Sequence, residues 1–298
     1  MILNICTDDW ANFAYDNHKA MQAVGMNSLC VKLKAHDFGY KEQAKVVSVD
    51  RLKELIYAAD IVQVFHSDKW MRQYTIGKRV IVYHTGTLYR RHHSFINDHW
   101  RDAVLHVVCL GEFWKLAPKN KTYIVGAMEL DEEFTDCIHP IKIAHYPSSQ
   151  KIKGKKKIIN MISGLSSAKY YFCCDTNQVE YNNQLDRMSD CDVYIEMFQM
   201  MLAGKEYGSW GITALEAACM GKIVVTNGMN QDVYKDHYGD CALQIVNTED
   251  AFRDKIKELI NMSSDQLKGL QIYTKKWVSK HSYLATGKKI KAIHTEIS

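Results

Sequence analysis

Gly208-Ser209-Trp210-Gly211-Ile212-Thr213-Ala-Leu-Glu216-Ala-Ala-Cys-Met-Gly221-Lys-Ile-Val-Val225 runs from a glycine-bearing loop into a short apolar helix, stops at a glycine and continues as a buried strand. Gly208 and Gly211 permit close backbone approach, and the first N–H groups of the helix have no intrahelical partner. Such a helix start accommodates a phosphate or diphosphate. Glu216 lies four to five residues into the helix, roughly 6–7 Å along its axis at 1.5 Å per residue. A diphosphate at the helix start and a carboxylate at that distance match the reach from phosphate to ribose in a nucleotide. The same spacing also fits a capped amphipathic helix that merely exposes Glu216.

Outward from this stretch, strands and helices alternate. Apolar runs at Met1–Cys6, Ser28–Leu33, Asp60–Phe65, Arg79–His84 and Val104–Leu110 read as strands, and Phe13–Val24 and Val49–Ala59 carry helical spacing. The rhythm breaks over 129–140, where an acidic run precedes His139-Pro140, and then restarts with strands at 141–145, 193–198 and 223–226. Residues 248–262 and 264–297 read as helical. The expected fold class is α/β, with two Rossmann-like domains facing a cleft. The boundaries expected are 1–135 for an N-terminal acceptor-side domain and 136–298 for a C-terminal nucleotide-sugar-binding domain.

Composition excludes several classes. The 298 residues are 47% hydrophobic and 24% charged, with 3 Pro and 16 Gly, which is the profile of a globular chain. No apolar run approaches the length of a membrane span, and the N-terminus lacks the basic start of a secretory signal. Nine scattered cysteines without a C-x2-C spacing indicate reduced thiols and a cytoplasmic setting rather than disulfides or zinc. A net charge of +4 is too mild to argue for nucleic acid by itself.

The quoted stretch resembles the C-terminal signature of retaining, family-four GT-B glycosyltransferases: Ser209-Trp210-Gly211, Leu215-Glu216-Ala217, Gly221 and Val224-Val225 match in register. Gly208 stands where that pattern carries its first Glu, and Ile223 where it carries Pro. His145-Tyr-Pro147-Ser148-Ser149-Gln-Lys-Ile-Lys153-Gly154 is similar to the loop that opens the C-terminal domain in the group. Val80-Ile-Val-Tyr-His84-Thr85-Gly86 looks like its His-bearing turn after the fourth strand.

The resemblance implies transfer of a hexosyl or pentosyl group from a nucleotide-diphosphate sugar to an acceptor hydroxyl, with retention, without a metal and with no cofactor beyond the donor. It implies catalytic roles for His84, Lys153 and Glu216. Lys153 would meet the leaving diphosphate, Glu216 the ribose and His84 the transferred sugar. Ser148, Ser149 and the segment Gly208–Thr213 complete the expected donor site. The final helix is expected to cross back to the first domain.

On the acceptor side, Asp8, Asp9 and Trp10 follow the first strand, and Thr85, Arg90 and Arg91 follow the fourth. Asp8 or Asp9 equally suits an N-cap for the helix behind it. A glycan, a lipid-linked sugar and a modified nucleic acid are all compatible acceptors. Phage-type DNA glycosyltransferases share the broad fold, which keeps a modified DNA base in view. The rivals are a GT-B nucleotide-sugar epimerase or hydrolase and a non-catalytic relative that only binds nucleotide sugars.

Overall fold

The computed structural model describes residues 1–130, 136–165, 168–177, 179–202, 204–228 and 230–297. The chain divides into two compact units, Met1–Glu129 with His281–Ser298, and Leu130–Lys280. The junction expected at residue 135 lies outside the described residues.

The first unit is built on seven parallel strands: β1 (Ile2–Cys6), β2 (Ser28–Lys32), β3 (Lys45–Val46), β4 (Ile61–Val64), β5 (Arg79–His84), β6 (Leu105–Val108) and β7 (Lys121–Tyr123). Their order is β3-β2-β1-β4-β5-β6-β7. β1, β4 and β5 are near-continuous apolar runs because a parallel sheet is covered on both faces. Leu3, Ile5, Val62, Val64 and Val82 are accordingly sealed from solvent. Helices α1 (Phe13–Ala23), α2 (Val49–Ala58) and α3 (Gly86–His99) connect the strands. The face read from sequence in α2 is the buried one, through Leu52, Leu55 and Ile56, and the Ser48 hydroxyl caps it by accepting from the Arg51 amide. The periodicity does not announce α3, because only Tyr89 and Ile96 are buried along it and the helix kinks at His92.

The second unit holds five parallel strands, β8 (Ile141–His145), β9 (Tyr170–Cys174), β10 (Val193–Met197), β13 (Ile223–Thr226) and β14 (Gln244–Ile245), and a small hairpin of β11 (Met201–Leu202) and β12 (Lys205–Glu206). The sheet order is β14-β13-β10-β8-β9. Around it lie α4 (Gln150–Lys153), α5 (Lys155–Ser163), α6 (Tyr181–Ser189), α7 (Ile212–Cys219), α8 (Gln231–Tyr238), α9 (Glu249–Asn261) and α10 (Ser264–Val278). Ile143, Ile158, Ile195, Val225, Phe252 and Ile256 form the centre of this core.

The single helical run expected over 264–297 is broken. α10 gives way to a 3-10 turn at Ser279–His281, and α11 (Tyr283–Ile297) follows as part of the first unit. α11 lies against α1 so closely that a Cβ on Gly287 would stand 2.1 Å from the Ala20 carbonyl oxygen. At its far end the His294 imidazole meets the Gln63 amide of β4 at 2.6 Å.

In each sheet the strand order reverses once, between β1 and β4 in the first unit and between β8 and β10 in the second. Ligands of open α/β sheets bind beyond the carboxyl ends of the strands at such reversals. The residues that follow those four strands are therefore the candidates for function.

Candidate functional site

In the second unit the carboxyl ends of β8 and β10 are tied together before any functional side chain enters. The His145 imidazole, fully buried, uses Nδ1 toward the Ile195 carbonyl at 2.8 Å, and burial pulls its pKa down to about 4. α4 then ends at Gly154, whose φ is +78°. A Cβ there would come within 2.0 Å of the Phe198 carbonyl oxygen, so only glycine lets the chain pass. The Phe198 amide in turn donates to the Lys153 carbonyl at 3.1 Å. These contacts place the Lys153 side chain against the end of β10, where its ammonium pairs with Glu196.

Glu196 is the residue the sequence reading missed. It sits within β10, 1% exposed, with one carboxylate oxygen on Lys153. Its other oxygen, Oε2, has no hydrogen-bond partner among the described residues. A charged residue inside an apolar strand was the available signal, since glutamate is almost never fully buried unless paired.

The loop before α7 is shaped by a second close approach. Gly208 adopts φ +129°, and a Cβ there would lie 1.8 Å from the Asn227 amide nitrogen. Buried Asn227 accepts from the Gln199 amide at 2.9 Å and donates to the Tyr207 carbonyl at 3.4 Å, fastening the loop beside the end of β10. A side chain at 208, where the motif carries its first Glu, would displace the Asn227 amide and take up a strained positive φ. Gly211 is the N-cap of α7 and has no side-chain cap, so the helix start is left open. Ile212 and Thr213 begin the helix, and Ser209 beside them has a buried hydroxyl with no partner among the described residues.

Glu216 is buried on α7 and accepts a hydrogen bond from the Tyr181 hydroxyl at 2.9 Å. Burial, with the negative Glu196 as a lesser cause, raises its pKa to about 7. Trp210 departs from the expected donor role. Its ring is 5% exposed and packs edge-on against Tyr234 and Trp277, so it anchors the loop through the core. Ser148 is exposed after β8, and Ser149 is the N-cap of α4 without a side-chain cap bond.

The first unit corrects several expectations. His84 ends β5 but is fully buried, with Nδ1 on the Ser67 hydroxyl at 2.9 Å and Nε2 on His106 at 2.8 Å. Both ring nitrogens are taken, leaving none for a sugar hydroxyl, and desolvation with the neighbouring His106 holds the ring neutral. Asp9 is also fully buried: its carboxylate accepts from the Ala14 and Tyr15 amides at 2.8 and 3.0 Å, so it serves the free donors of the first turn of α1, although the N-cap position itself is Asn12. Arg90 forms a bidentate pair with Glu112, so it is structural rather than open to an acceptor. Asp8, Trp10 and Arg91 stay at least partly exposed, Trp10 by 57%.

A different group gathers at the β1–β4 reversal. His66, which follows β4, bonds the Thr85 hydroxyl through Nδ1 at 2.8 Å and the Asp9 carboxylate through Nε2 at 3.0 Å. Thr85, an expected acceptor-side residue, thus lies at the partly exposed end of an Asp9–His66–Thr85 chain. Cys6, Asp9 and His66 hold ligand-type atoms within 4.8 Å of one another, the Asp9 and His66 atoms already bonded together.

The thiols are all free, and burial drives those of Cys6, Cys30 and Cys109 well above their ordinary pKa. Among the described residues no helix is long and apolar enough to cross a membrane.

No protein-family model matches the chain, and no curated protein matches it by sequence. Solved structures match its fold along almost the whole length. An alpha-glucosyltransferase in complex with UDP-glucose and DNA containing an abasic site aligns with a TM-score of 0.66 at 13% identity, covering 99% of each chain. Anabaena HepE in complex with UDP-glucose aligns with 0.69 at 9% identity, again over 99% of each chain. Sucrose-phosphate synthase from Thermosynechococcus elongatus aligns with 0.64 at 10% identity, over 99% of this chain and 98% of that one. The fold is that of the GT-B glycosyltransferases.

Proposed function

We propose that this GT-B chain is a glycosyltransferase that moves a sugar from a nucleotide-diphosphate donor to an acceptor hydroxyl, with retention and without a metal. The observation that carries the reading is the second-unit site, where the start of α7 and the Lys153 ammonium both lie against Glu196 and the Glu216 carboxylate stands further along the same helix. The helix start and Lys153 supply positive potential for the diphosphate as it leaves. Glu216, in its ionised form, accepts from the ribose hydroxyls. UDP is the nucleotide to test first, because the alpha-glucosyltransferase and HepE carry it.

The acceptor belongs to the first unit in this reading. Thr85, partly exposed and bonded through its hydroxyl to His66, is the residue to test there. A DNA acceptor is the second reading. It is favoured by the DNA-bound alpha-glucosyltransferase and by exposed Phe95 near exposed Arg91 on α3. Binding to DNA would weaken steeply with salt, whereas a small neutral glycan would not show that dependence.

The test is a thermal-shift screen with nucleoside diphosphates and their sugar conjugates, repeated on Glu216→Ala. Ligand at a hundredfold its Kd adds about 2.7 kcal/mol of stability. A rise in Tm in the wild type that is lost in the variant supports the reading. No rise with any nucleotide removes it.

A further inference from the structure

Glu196 carries more than the pairing of a lysine. Its carboxylate is 1% exposed, yet only Oε1 has a hydrogen-bond partner, the Lys153 ammonium. Oε2 is buried without one among the described residues. Removing a carboxylate oxygen from water without a partner is costly, and an ionised carboxylate is an acceptor only. The group that completes it must therefore be a donor.

The surroundings narrow the choice of donor. A Cβ on Gly211, the N-cap of α7, would stand 3.8 Å from the Glu196 Oε1 atom. Glu196 therefore lies at the helix-start end of the site, with the two groups that would hold phosphates. The buried Ser209 hydroxyl, also without a partner among the described residues, lies in the same loop. Glu216, the ribose acceptor in the reading above, stands further along α7 and is bonded to Tyr181. A ligand meeting both ends presents ribose hydroxyls to Glu216 and anionic oxygens to Lys153. The hydroxyls next beyond the diphosphate are those of the transferred sugar.

We propose that Glu196 is a donor-specificity residue: Oε2 accepts a hydrogen bond from a hydroxyl of the transferred sugar, while Oε1 holds the Lys153 ammonium beside the diphosphate. The proposal rests on the nucleotide-sugar reading. With the donor absent, Glu196 neutralises Lys153; with it bound, Lys153 is shared between Glu196 and the phosphate oxygens.

The experiment compares two affinities for each protein by calorimetry: a nucleoside diphosphate (UDP, GDP, ADP, CDP or TDP) and its glucose conjugate. The pair that binds the wild type with the largest sugar advantage is taken forward. Glu196→Gln is expected to reduce that advantage at least tenfold while leaving diphosphate affinity unchanged or up to fivefold tighter, because Lys153 loses its counter-charge. Equal loss for both ligands, or no loss for either, overturns the proposal.

If Glu196→Gln does not fold, as judged by circular dichroism, Lys153→Gln combined with Glu196→Gln keeps a neutral hydrogen-bonded pair. Lys153→Gln alone serves as its reference, and only the double variant should lose the sugar advantage; retention in the double variant overturns the proposal. Failure of the wild type to bind any of the five diphosphates is a different result. It removes the nucleotide reading itself.

Discussion

The Tyr181 hydroxyl, on the first residue of α6, donates to Glu216 Oε1 on α7 at 2.9 Å, and the carboxyl it touches is buried and titrates near 7. Desolvation raises that pKa, the negative Glu196 adds to it, and the Tyr181 bond and Lys153 oppose it. The ribose clamp needs the ionised form, since a protonated carboxyl loses acceptor capacity. Affinity for a nucleoside diphosphate should therefore fall as pH drops below 7, toward a slope of ~10-fold per pH unit. Calorimetry between pH 5.5 and 8.5 reads this directly, and a flat profile would show that Glu216 does not act on the nucleotide as a carboxylate.

The raised pKa also bears on folding. A carboxyl whose pKa is raised from 4.5 to about 7 contributes stability that is full below 4.5 and lost as pH rises through 7. Above 7 the buried negative charge is a net cost to the folded state. Glu216→Gln keeps an acceptor for Tyr181 and removes the charge. It should raise stability at pH 8 by about 1–3 kcal/mol and change it little at pH 4.5, while nucleotide binding is lost. Urea titrations of the two proteins at both pH values provide the check.

How much of this was legible in the sequence follows from local pattern. The central strands of both sheets were readable because parallel strands covered on both faces are short apolar runs, as in Leu3-Asn4-Ile5 and Val80-Ile-Val82, whereas the two- and three-residue edge strands β3, β7 and β14 left no such run. The glycine-to-helix step at Gly208–Ile212 was readable because backbone freedom and helix starts leave sequence marks. Side-chain direction left none. Nothing in Tyr83-His84-Thr85 tells that His84 turns inward to Ser67 and His106 while His66, nineteen residues before Thr85, takes the Thr85 hydroxyl. Pairings between distant positions, Lys153 with Glu196 and Arg90 with Glu112, exist only once the chain is folded.

Arg90 provides a direct test of that distinction. Its guanidinium is 15% exposed, bonds both oxygens of a Glu112 carboxylate that is 6% exposed, and lies 5.3 Å from the centre of the Phe113 ring. Arg90→Met would leave Glu112 buried and unpaired, which costs roughly 3 kcal/mol. The expected result is a clear fall in Tm with donor KM unchanged. An acceptor-binding arginine would instead raise acceptor KM at constant Tm. Arg91→Met, exposed one residue later, should leave Tm essentially where it is.

Buried imidazoles set the acid limit of the fold, and four of them carry the largest shifts among the described residues. Desolvation lowers the pKa of His106, His145 and His294 to about 4, and that of His84 falls well below its ordinary value, with His106 adding to the effect. Unfolded, each would titrate near 6.5. Between 6.5 and about 4 the unfolded chain therefore binds more protons than the native one. The stability is complete above 6.5 and is lost as pH falls through that window. Each tenfold difference in proton affinity between the folded and unfolded chain is worth about 1.4 kcal/mol, so four such groups outweigh the opposite contribution of the single Glu216. Net stability should fall by several kcal/mol between pH 7 and pH 5, seen as a drop in the urea midpoint at unchanged m-value. His294→Gln, which offers Gln63 a neutral partner in place of the ring, should make that slope measurably shallower. An acid slope unchanged by this substitution would mean that the ring is protonated in the folded protein at pH 5.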